Sequence, residues 1–165
     1  MKLIELWNAD LKKAYELQNT FSPDEKGFVN NAFGFSFEEF QKYVRQNEDY
    51  SHGTGLPEGY VPATVFILED NGTYVGIFNL RHYLNDFLRN GPGHIGYGIS
   101  PTYRRKGYAS EGLRLTIKKA KEIIPENEIY LSVHKDNPAS LKVQEKNGAY
   151  IHHEDDKEYY TRIPI

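Results

Sequence analysis

The sequence predicts a mixed α/β domain whose central sheet is mostly antiparallel and flanked by helices. Two β-rich runs, residues 63–69 and 73–82, surround Asp70-Asn71-Gly72, whose turn chemistry favours a hairpin. Strand-like and helix-like segments then alternate from residue 94 to the C-terminus. A chain of 165 residues that is 39% hydrophobic can fill one core, so we expect a single domain over residues 1–165.

Two helices are expected before this hairpin. Asp10 is a suitable N-cap for a helix that runs to about Asn19. Ser36 and Glu39 form a capping-box pattern at the start of a second helix, in which apolar residues recur at helical spacing. Residues 51–62 are rich in Gly and Pro and therefore predict a loop.

After the hairpin, a strand is expected at His94–Ser100 and a helix from Gly107 to Pro125. The apolar residues of this helix fall on one stripe: Leu113, Ile117, Ala120 and Ile124. The remaining predicted elements are a strand over 129–134, a helix between Asn137 and Asn147, and a closing hairpin of 149–154 and 158–163.

Composition excludes several functional classes. The absence of Cys removes disulfide frameworks, thiolate zinc sites and cysteine nucleophiles, and no His or carboxylate spacing indicates a metal site. The net charge of −3 gives no support to binding of nucleic acid or of a membrane surface. No apolar stretch approaches the roughly 20 residues of a membrane span, and the first residues lack a signal-peptide core. We therefore expect a cytoplasmic protein.

One short segment is strongly basic. Residues 102–121 contain seven basic residues and one acidic residue, a net charge of +6, so the remainder of the chain carries −9. The cluster Arg104, Arg105 and Lys106 follows a strand and precedes Gly107 and a helix start. This order is typical of an anion site, because glycine lets the backbone approach a phosphate and the first helical N–H groups have no intrahelical partner. The segment predicts a phosphorylated ligand, and neither a Walker A loop nor a Rossmann fingerprint is present.

The same turn carries a family resemblance. Arg104-Arg105-Lys106-Gly107-Tyr108-Ala109 resembles the R/Q-x-x-G-x-G/A signature of the GNAT N-acetyltransferases. Asn137-Pro138-Ala139-Ser140, followed by Glu145-Lys146-Asn147-Gly148-Ala149, resembles that family's N-x-A-S…E-K-x-G-F segment. Residues 79–82 and 93–97 further resemble a bacterial subgroup of predicted acetyltransferases.

The resemblance implies acetyl-CoA as cosubstrate, bound in the splay between two central strands, and no metal. It implies that the backbone of Gly98, Ile99 and Ser100 pairs with the pantetheine arm, and that N–H groups from Arg105 to Ser110 hold the pyrophosphate. Asn137 and Ser140 would contact the pantetheine arm or the adenosine side, or else cap the last helix. The implied cofactor-binding residues are Gly98, Ile99, Ser100, Arg104, Arg105, Lys106, Gly107, Tyr108, Ala109, Ser110, Asn137 and Ser140. Strand alternation also places Gly96 and Gly98 on one face, where small residues suit a closely packed ligand or a bulge.

The catalytic residues are less well determined, because the chain departs from the family there. Gln144 stands where many members have a tyrosine acid, and Ser132 where some have a glutamate. His94 is our first candidate for the general base and His134 the second, while Tyr97 is a candidate acid or positioning group. A backbone N–H near Ile99 is the expected oxyanion donor.

The sequence therefore predicts an N-acetyltransferase that transfers acetyl directly to an amine in a ternary complex. The acceptor is expected to be a small-molecule or peptide amine, and the protein a monomer or homodimer. Two alternatives remain open: a non-catalytic acyl-CoA-binding module on the same fold, and a site for another phosphorylated ligand at the basic turn.

Overall fold

A computed structural model describes residues 1–165. It contains nine strands: β1 (Lys2–Glu5), β2 (Asp24–Glu25), β3 (Phe28–Val29), β4 (Ala63–Asp70), β5 (Thr73–Arg81), β6 (Ile95–Ile99), β7 (Glu128–His134), β8 (Tyr150–Glu154) and β9 (Glu158–Pro164). It contains five α-helices: α1 (Leu11–Gln18), α2 (Phe37–Ser51), α3 (Asp86–Arg89), α4 (Tyr108–Ile123) and α5 (Pro138–Lys146). Short 3-10 turns lie at Leu6–Asn8 and Pro101–Tyr103.

The strands form two antiparallel sheets and one small hairpin. The larger sheet has the order β1-β4-β5-β6, the smaller has the order β7-β9-β8, and β2 pairs only with β3. The β4–β5 turn has positive φ at Asn71 and Gly72, as a tight hairpin with the natural right-handed twist requires. The predicted mixed α/β class with a mostly antiparallel sheet is confirmed.

Helices cover both faces of the larger sheet. On one face, α1 and α2 bury side chains such as Leu17 and Phe40 against Ile67 and Ile77. On the other face, the predicted stripe of α4 packs on Phe78 and its neighbours; Leu113, Ile117, Ala120 and Ile124 are all buried there. The 3.6-residue period therefore identified the correct face of this helix.

Helix capping also follows the sequence prediction. The Asp10 carboxylate accepts hydrogen bonds from the backbone N–H groups of Lys12 and Lys13 at the start of α1. Ser36 and Glu39 form both hydrogen bonds of the capping box at the start of α2. These caps satisfy N–H groups that the helix itself leaves without partners.

Three regions of regular structure were not predicted: β1, the β2–β3 hairpin and the four-residue helix α3. Each is too short to show a period of its own. Strand β1 is ordered by pairing along β4, and β2–β3 lies against residues far away in the chain, since Lys26 Nζ donates to the Asp136 carbonyl over 2.8 Å. Tertiary contacts, which local sequence patterns do not record, order these pieces.

Candidate active site

The two sheets touch at one place and diverge beyond it. A single bridge joins Gly93 to Leu131, and the His94 N–H donates to the Tyr130 carbonyl over 2.7 Å. No further pairing connects β6 with β7. A wedge therefore opens between these strands towards Ile99, and one edge of β6 is left free for a ligand.

The ladder pattern shows which β6 groups face this wedge. The Ser100 N–H donates to Val75 over 3.0 Å, and the Arg81 N–H donates to the His94 carbonyl over 2.8 Å. Because backbone groups alternate along an antiparallel strand, Gly96 and Gly98 also point towards β5. Of the three residues predicted to pair with pantetheine, Gly98 and Ser100 thus direct their backbone into the sheet. Ile99 keeps its backbone on the wedge side.

The face of Gly98 is occupied by the protein itself. A Cβ atom on Gly98 would lie 2.8 Å from Cδ1 of Phe28 and 3.0 Å from the Phe21 ring, whereas a Cβ on Gly96 would meet nothing within 4 Å. The small residue at position 98 therefore accommodates the β2–β3 hairpin. Gly96 alone leaves space for a ligand on this face.

The turn after β6 is built as an anion site. Arg105 (φ 62°) and Gly107 (φ 85°) both have left-handed backbone conformations, and Gly107 is the N-cap of α4. The six consecutive N–H groups from Arg105 to Ser110 donate to no acceptor in the protein. A Cβ on Gly107 would meet nothing within 4 Å, so a ligand can approach these groups closely.

The basic side chains of the turn have different partners. Arg104 donates through Nε to the Ile99 carbonyl over 3.0 Å and through Nη2 to Glu25 over 2.7 Å, so its guanidinium is held by the protein. Arg105 and Lys106 are exposed and form no ion pair, although Lys106 Nζ lies 5.4 Å from the centre of the Tyr103 ring. Further along, the Tyr108 hydroxyl donates to Asp70 and the Ser110 carbonyl accepts from Asn147, while Ala109 packs against the core. Arg105 and Lys106 are the cations left for an anionic ligand.

A cavity of about 1100 Å³ lies on the face of the larger sheet that is opposite α4. It is enclosed by the sheet, α2 and the 57–61 loop. Its floor includes Gly96 of β6 and the side chains of Asn79 and Arg81 on β5. In the sequence, Asn79 and Arg81 stand out only as part of a family resemblance. Their i, i+2 spacing on a predicted strand was the signal that would have placed them on one face.

A comparison with protein families decides the classification. The family model described as "Acetyltransferase (GNAT) domain" matches residues 4–150. The chain belongs to the GNAT acetyltransferase family.

Solved structures agree with this GNAT fold. N-acetyltransferase PseH of Campylobacter jejuni has a TM-score of 0.63 at 17% identity, over 99% of this chain and 96% of its own. Spermidine N-acetyltransferase of Vibrio cholerae, solved with CoA and spermine, has a TM-score of 0.64 at 19% identity, over 99% of this chain and 94% of its own. A GNAT-family acetyltransferase of Streptococcus pneumoniae has a TM-score of 0.63 at 17% identity, over 99% of this chain and 98% of its own. No curated protein sequence matches the chain.

At the position of the common GNAT tyrosine, Gln144 is buried and tied into the core. Its Oε1 accepts from the Thr161 hydroxyl over 2.7 Å, and its Nε2 donates to the Ser132 carbonyl over 3.4 Å. The Tyr97 hydroxyl reaches the same region from β6 and hydrogen-bonds the Ser140 hydroxyl over 2.8 Å. Burial raises the pKa of Tyr97 to about 12, against smaller opposing contributions from hydrogen bonds with Ser140 and Gln144. Tyr97 is thus a neutral hydroxyl close to Ser140 and Gln144 in this GNAT domain.

Asn137 caps α5, because its Oδ1 accepts from the Ser140 N–H over 3.2 Å. Asn137 and Ser140 therefore form the helix cap that the sequence offered as the alternative to a contact with the cofactor. Ser140 connects this cap to Tyr97, so the start of α5 positions the tyrosine hydroxyl at the wedge.

The two candidate bases lie in different settings. His94 is fully buried: its Nδ1 accepts from the Tyr130 N–H over 2.9 Å, and its Nε2 lies 3.1 Å from Glu126. Both ring nitrogens of His94 therefore have partners within the protein. The side chain of His134 is 41% exposed, with Nε2 3.2 Å from Glu158.

No group of three or more metal-ligating His, Cys, Asp or Glu side chains is present. None of the helices combines the length and the apolar character that crossing a membrane requires.

Proposed function

We propose that this protein is an acetyl-CoA-dependent N-acetyltransferase that acts through residues 1–165 as one domain. In this proposal the acceptor is a primary amine, which attacks acetyl-CoA directly in a ternary complex. The observation that carries the proposal is the run of six unpaired N–H groups at Arg105–Ser110, placed where the wedge beside β6 opens. An oriented set of donors at a helix N-terminus fits a pyrophosphate.

The cofactor would lie with its pyrophosphate in the basic turn and its pantetheine arm in the wedge. Arg105 and Lys106 would add positive charge, and the backbone N–H of Ile99 would pair with the arm as an added strand does, while the Ile99 carbonyl is held by Arg104. This path leads to Tyr97 and Ser140 at the closed side of the wedge. Acetyl-CoA is also present in a solved complex of PseH, which resembles this chain in fold.

The proposed reaction requires a neutral amine. An amine with a pKa of about 10.4 is only on the order of one part in a thousand neutral at pH 7, so a base or a desolvating pocket must assist. Nitrogen then attacks the thioester carbonyl, and a backbone N–H near Ile99 would donate to the resulting oxyanion. The C–S bond breaks, the nitrogen loses its proton to the base, and the thiolate of CoA leaves with a proton from Tyr97 or from solvent.

The geometry favours His134 over His94 as the base, because the His134 side chain is 41% exposed whereas His94 is fully buried with both ring nitrogens hydrogen-bonded. His134 lies at the end of β7, where a Cβ on Gly27 would be 3.1 Å from its Nε2. The β2–β3 hairpin therefore connects His134 with Phe28, which covers Gly98 on the other side of the wedge.

A second candidate function is favoured by Gln144. Since an amide cannot deliver a proton, and Ser132 replaces the glutamate of some members, a non-catalytic acyl-CoA-binding module is the alternative. A site for another phosphorylated ligand is a third. The three differ in turnover and in the preference for CoA over ADP.

The test measures acetyl-CoA-dependent release of the CoA thiol across a panel of primary amines, together with CoA and ADP binding by calorimetry. We expect turnover with at least one amine and tighter binding of CoA than of ADP. Tight CoA binding without turnover on any amine supports the binding module instead. Equal affinity for CoA and ADP supports the third alternative.

A pair of matched variants tests the anion site itself. Gly107→Glu places a carboxylate among the free N–H groups and should weaken CoA binding at least tenfold. Gly55→Glu is the control, because Gly55 also has positive φ (68°) and open space around it, but lies in the loop after α2. Undiminished CoA binding by Gly107→Glu contradicts the pyrophosphate assignment.

A further inference from the structure

The floor of the 1100 Å³ cavity has two polar side chains in an otherwise small and apolar surface. Ala63 and Val65 contribute from β4, Ile77 from β5 and Gly96 from β6. Asn79 and Arg81 are two residues apart on β5, on the same face and about 7 Å from each other along the strand. Gly96 is directly opposite Asn79, so these groups lie next to the β6 strand that borders the wedge.

Arg81 has no acidic partner. The only polar contact that the Arg81 side chain makes within the protein is a hydrogen bond from Nη1 to the Gly93 carbonyl over 3.0 Å. Burial lowers the pKa of Arg81, and no carboxylate offsets this effect. The other enclosed arginine, Arg162, differs because its guanidinium stacks 3.6 Å from the centre of the Tyr130 ring.

Asn79 is also without partners. Its Oδ1 is the single buried side-chain nitrogen or oxygen in the protein that makes no hydrogen bond. Leaving such a group unpaired is costly, and Asn79 is one of the residues that line the cavity. The pair therefore offers one cation and one amide to whatever fills the cavity.

We infer that Arg81 and Asn79 select an acceptor that carries a carboxylate in addition to its amine, the chemical class of the amino acids. This inference rests on the proposed function. Arg81 pairs with the carboxylate, and the side-chain amide of Asn79 hydrogen-bonds the acceptor amine beside Gly96. A single guanidinium beside a neutral amide balances one negative charge, which favours a carboxylate over a phosphate dianion.

The other charged groups around the cavity do not neutralise Arg81. Glu39 accepts from the Ser36 N–H in the capping box, Lys42 pairs with Glu38, and Glu58 is exposed on the loop. None of them forms an ion pair with Arg81. The positive charge of Arg81 is thus left for the acceptor to balance.

The experiment compares amines that differ only by the carboxylate: L-lysine with cadaverine, L-ornithine with putrescine, and L-phenylalanine with phenethylamine. Each is titrated by calorimetry into the protein saturated with CoA, and each is assayed for CoA thiol release with acetyl-CoA. We expect the carboxylate member of at least one pair to bind at least about tenfold more tightly, as a charge-assisted hydrogen bond provides.

Three variants locate the effect. Arg81→Gln should reduce the ratio within that pair to below threefold, and Arg81→Lys should retain part of it. Asn79→Asp should also reduce the ratio, because it places a carboxylate beside an intact Arg81. Arg45→Gln is the control, since Arg45 is exposed on α2 and outside the cavity. Thermal unfolding checks that each variant is folded.

The binding and turnover results separate the two proposals. A carboxylate preference in binding without any turnover contradicts the proposed transferase and leaves this inference standing. Equal binding within every pair, a preference for the decarboxylated amine, or no binding of any carboxylate member overturns it. A preference that survives Arg81→Gln, or tighter binding of O-phosphoethanolamine than of β-alanine, also overturns it.

Discussion

At the scale of single residues, Tyr97 is the side chain that we propose takes the place of the family's usual tyrosine. The family's usual tyrosine would come from α5, where this chain has Gln144. The Tyr97 hydroxyl comes from β6 instead, and its ring is stacked on Phe78 with centres 5.5 Å apart. Both the stacking and the hydrogen bond to Ser140 hold the hydroxyl at the wedge. Because its pKa is raised to about 12, Tyr97 stays protonated and can donate at neutral pH.

We predict that Tyr97→Phe lowers kcat by about tenfold and leaves the affinity for CoA within threefold. The effect is smaller than that of a typical general acid, because a thiolate with a pKa near 8.5 is a good leaving group. Steady-state release of the CoA thiol gives kcat, and calorimetry gives the affinity. Tyr150→Phe is the control, since its hydroxyl contacts Glu128 on the surface. Unchanged kcat in Tyr97→Phe removes the residue from the reaction.

At the scale of elements, the contact between α4 and β5 fixes how closely the helix approaches the sheet. Gly112 is buried inside α4, and a Cβ atom on it would overlap the Phe78 ring. The same ring is also stacked on Tyr97, its cross-strand partner on β6. A glycine in the middle of a helix is unfavourable by about 1 kcal/mol, so its presence here reflects the close approach.

We predict that Gly112→Ala destabilises the protein by about 2 kcal/mol or more, although helix propensity alone predicts stabilisation. Overpacking of a rigid ring outweighs the gain in propensity. Chemical denaturation measures the change. Lys118→Ala, at an exposed position of the same helix, should change stability by less than about 0.5 kcal/mol. In the double variant with Phe78→Leu, the effect of Gly112→Ala should shrink, and a net stabilisation by Gly112→Ala alone contradicts the contact.

The elements also show what the sequence could reveal. The stripe of α4, its start at Gly107 and the caps at Asp10 and Ser36 were predictable, because each depends on residues close together in the chain. The free N–H groups of the basic turn were predictable for the same reason. The covering of Gly98 by Phe28 and the capture of Arg104 by Glu25 were not, because they depend on a hairpin some 70 residues away that only tertiary contacts order.

At the scale of the whole molecule, the two sheets are joined at one place, the backbone contact of Gly93 and His94 with Tyr130 and Leu131, which we call the seam. His94 forms most of it: its N–H donates to Tyr130, its Nδ1 accepts from the Tyr130 N–H, and its Nε2 faces Glu126. Glu126 in turn accepts from the Leu84 N–H over 3.1 Å. Since Nδ1 is an acceptor, the ring is neutral with its proton on Nε2. A second proton would have to sit on Nδ1, where it would point at the Tyr130 N–H, so that two hydrogen-bond donors would face each other.

This seam makes stability depend on pH. Burial lowers the pKa of His94, although Glu126 acts in the opposite direction. Below about pH 6.5 the unfolded chain takes up a proton that the folded protein does not, so the contribution of the neutral ring is present above that pH and is lost as the pH falls. Stability should therefore decrease on acidification by up to about 1.4 kcal/mol per pH unit from this group alone.

We predict that His94→Gln is less stable than the parent protein at pH 7.5 by about 2–3 kcal/mol, because buried partners lose their hydrogen bonds. Its stability should fall less steeply between pH 6.5 and 5.5, since one titrating group has been removed while His82, whose pKa is also lowered by burial, remains. Denaturant unfolding at several pH values measures both quantities. His152→Gln, an exposed change in β8, should reproduce the parent slope. Parallel slopes for the parent and His94→Gln would mean that the seam does not titrate, and that the acid sensitivity of the fold arises elsewhere.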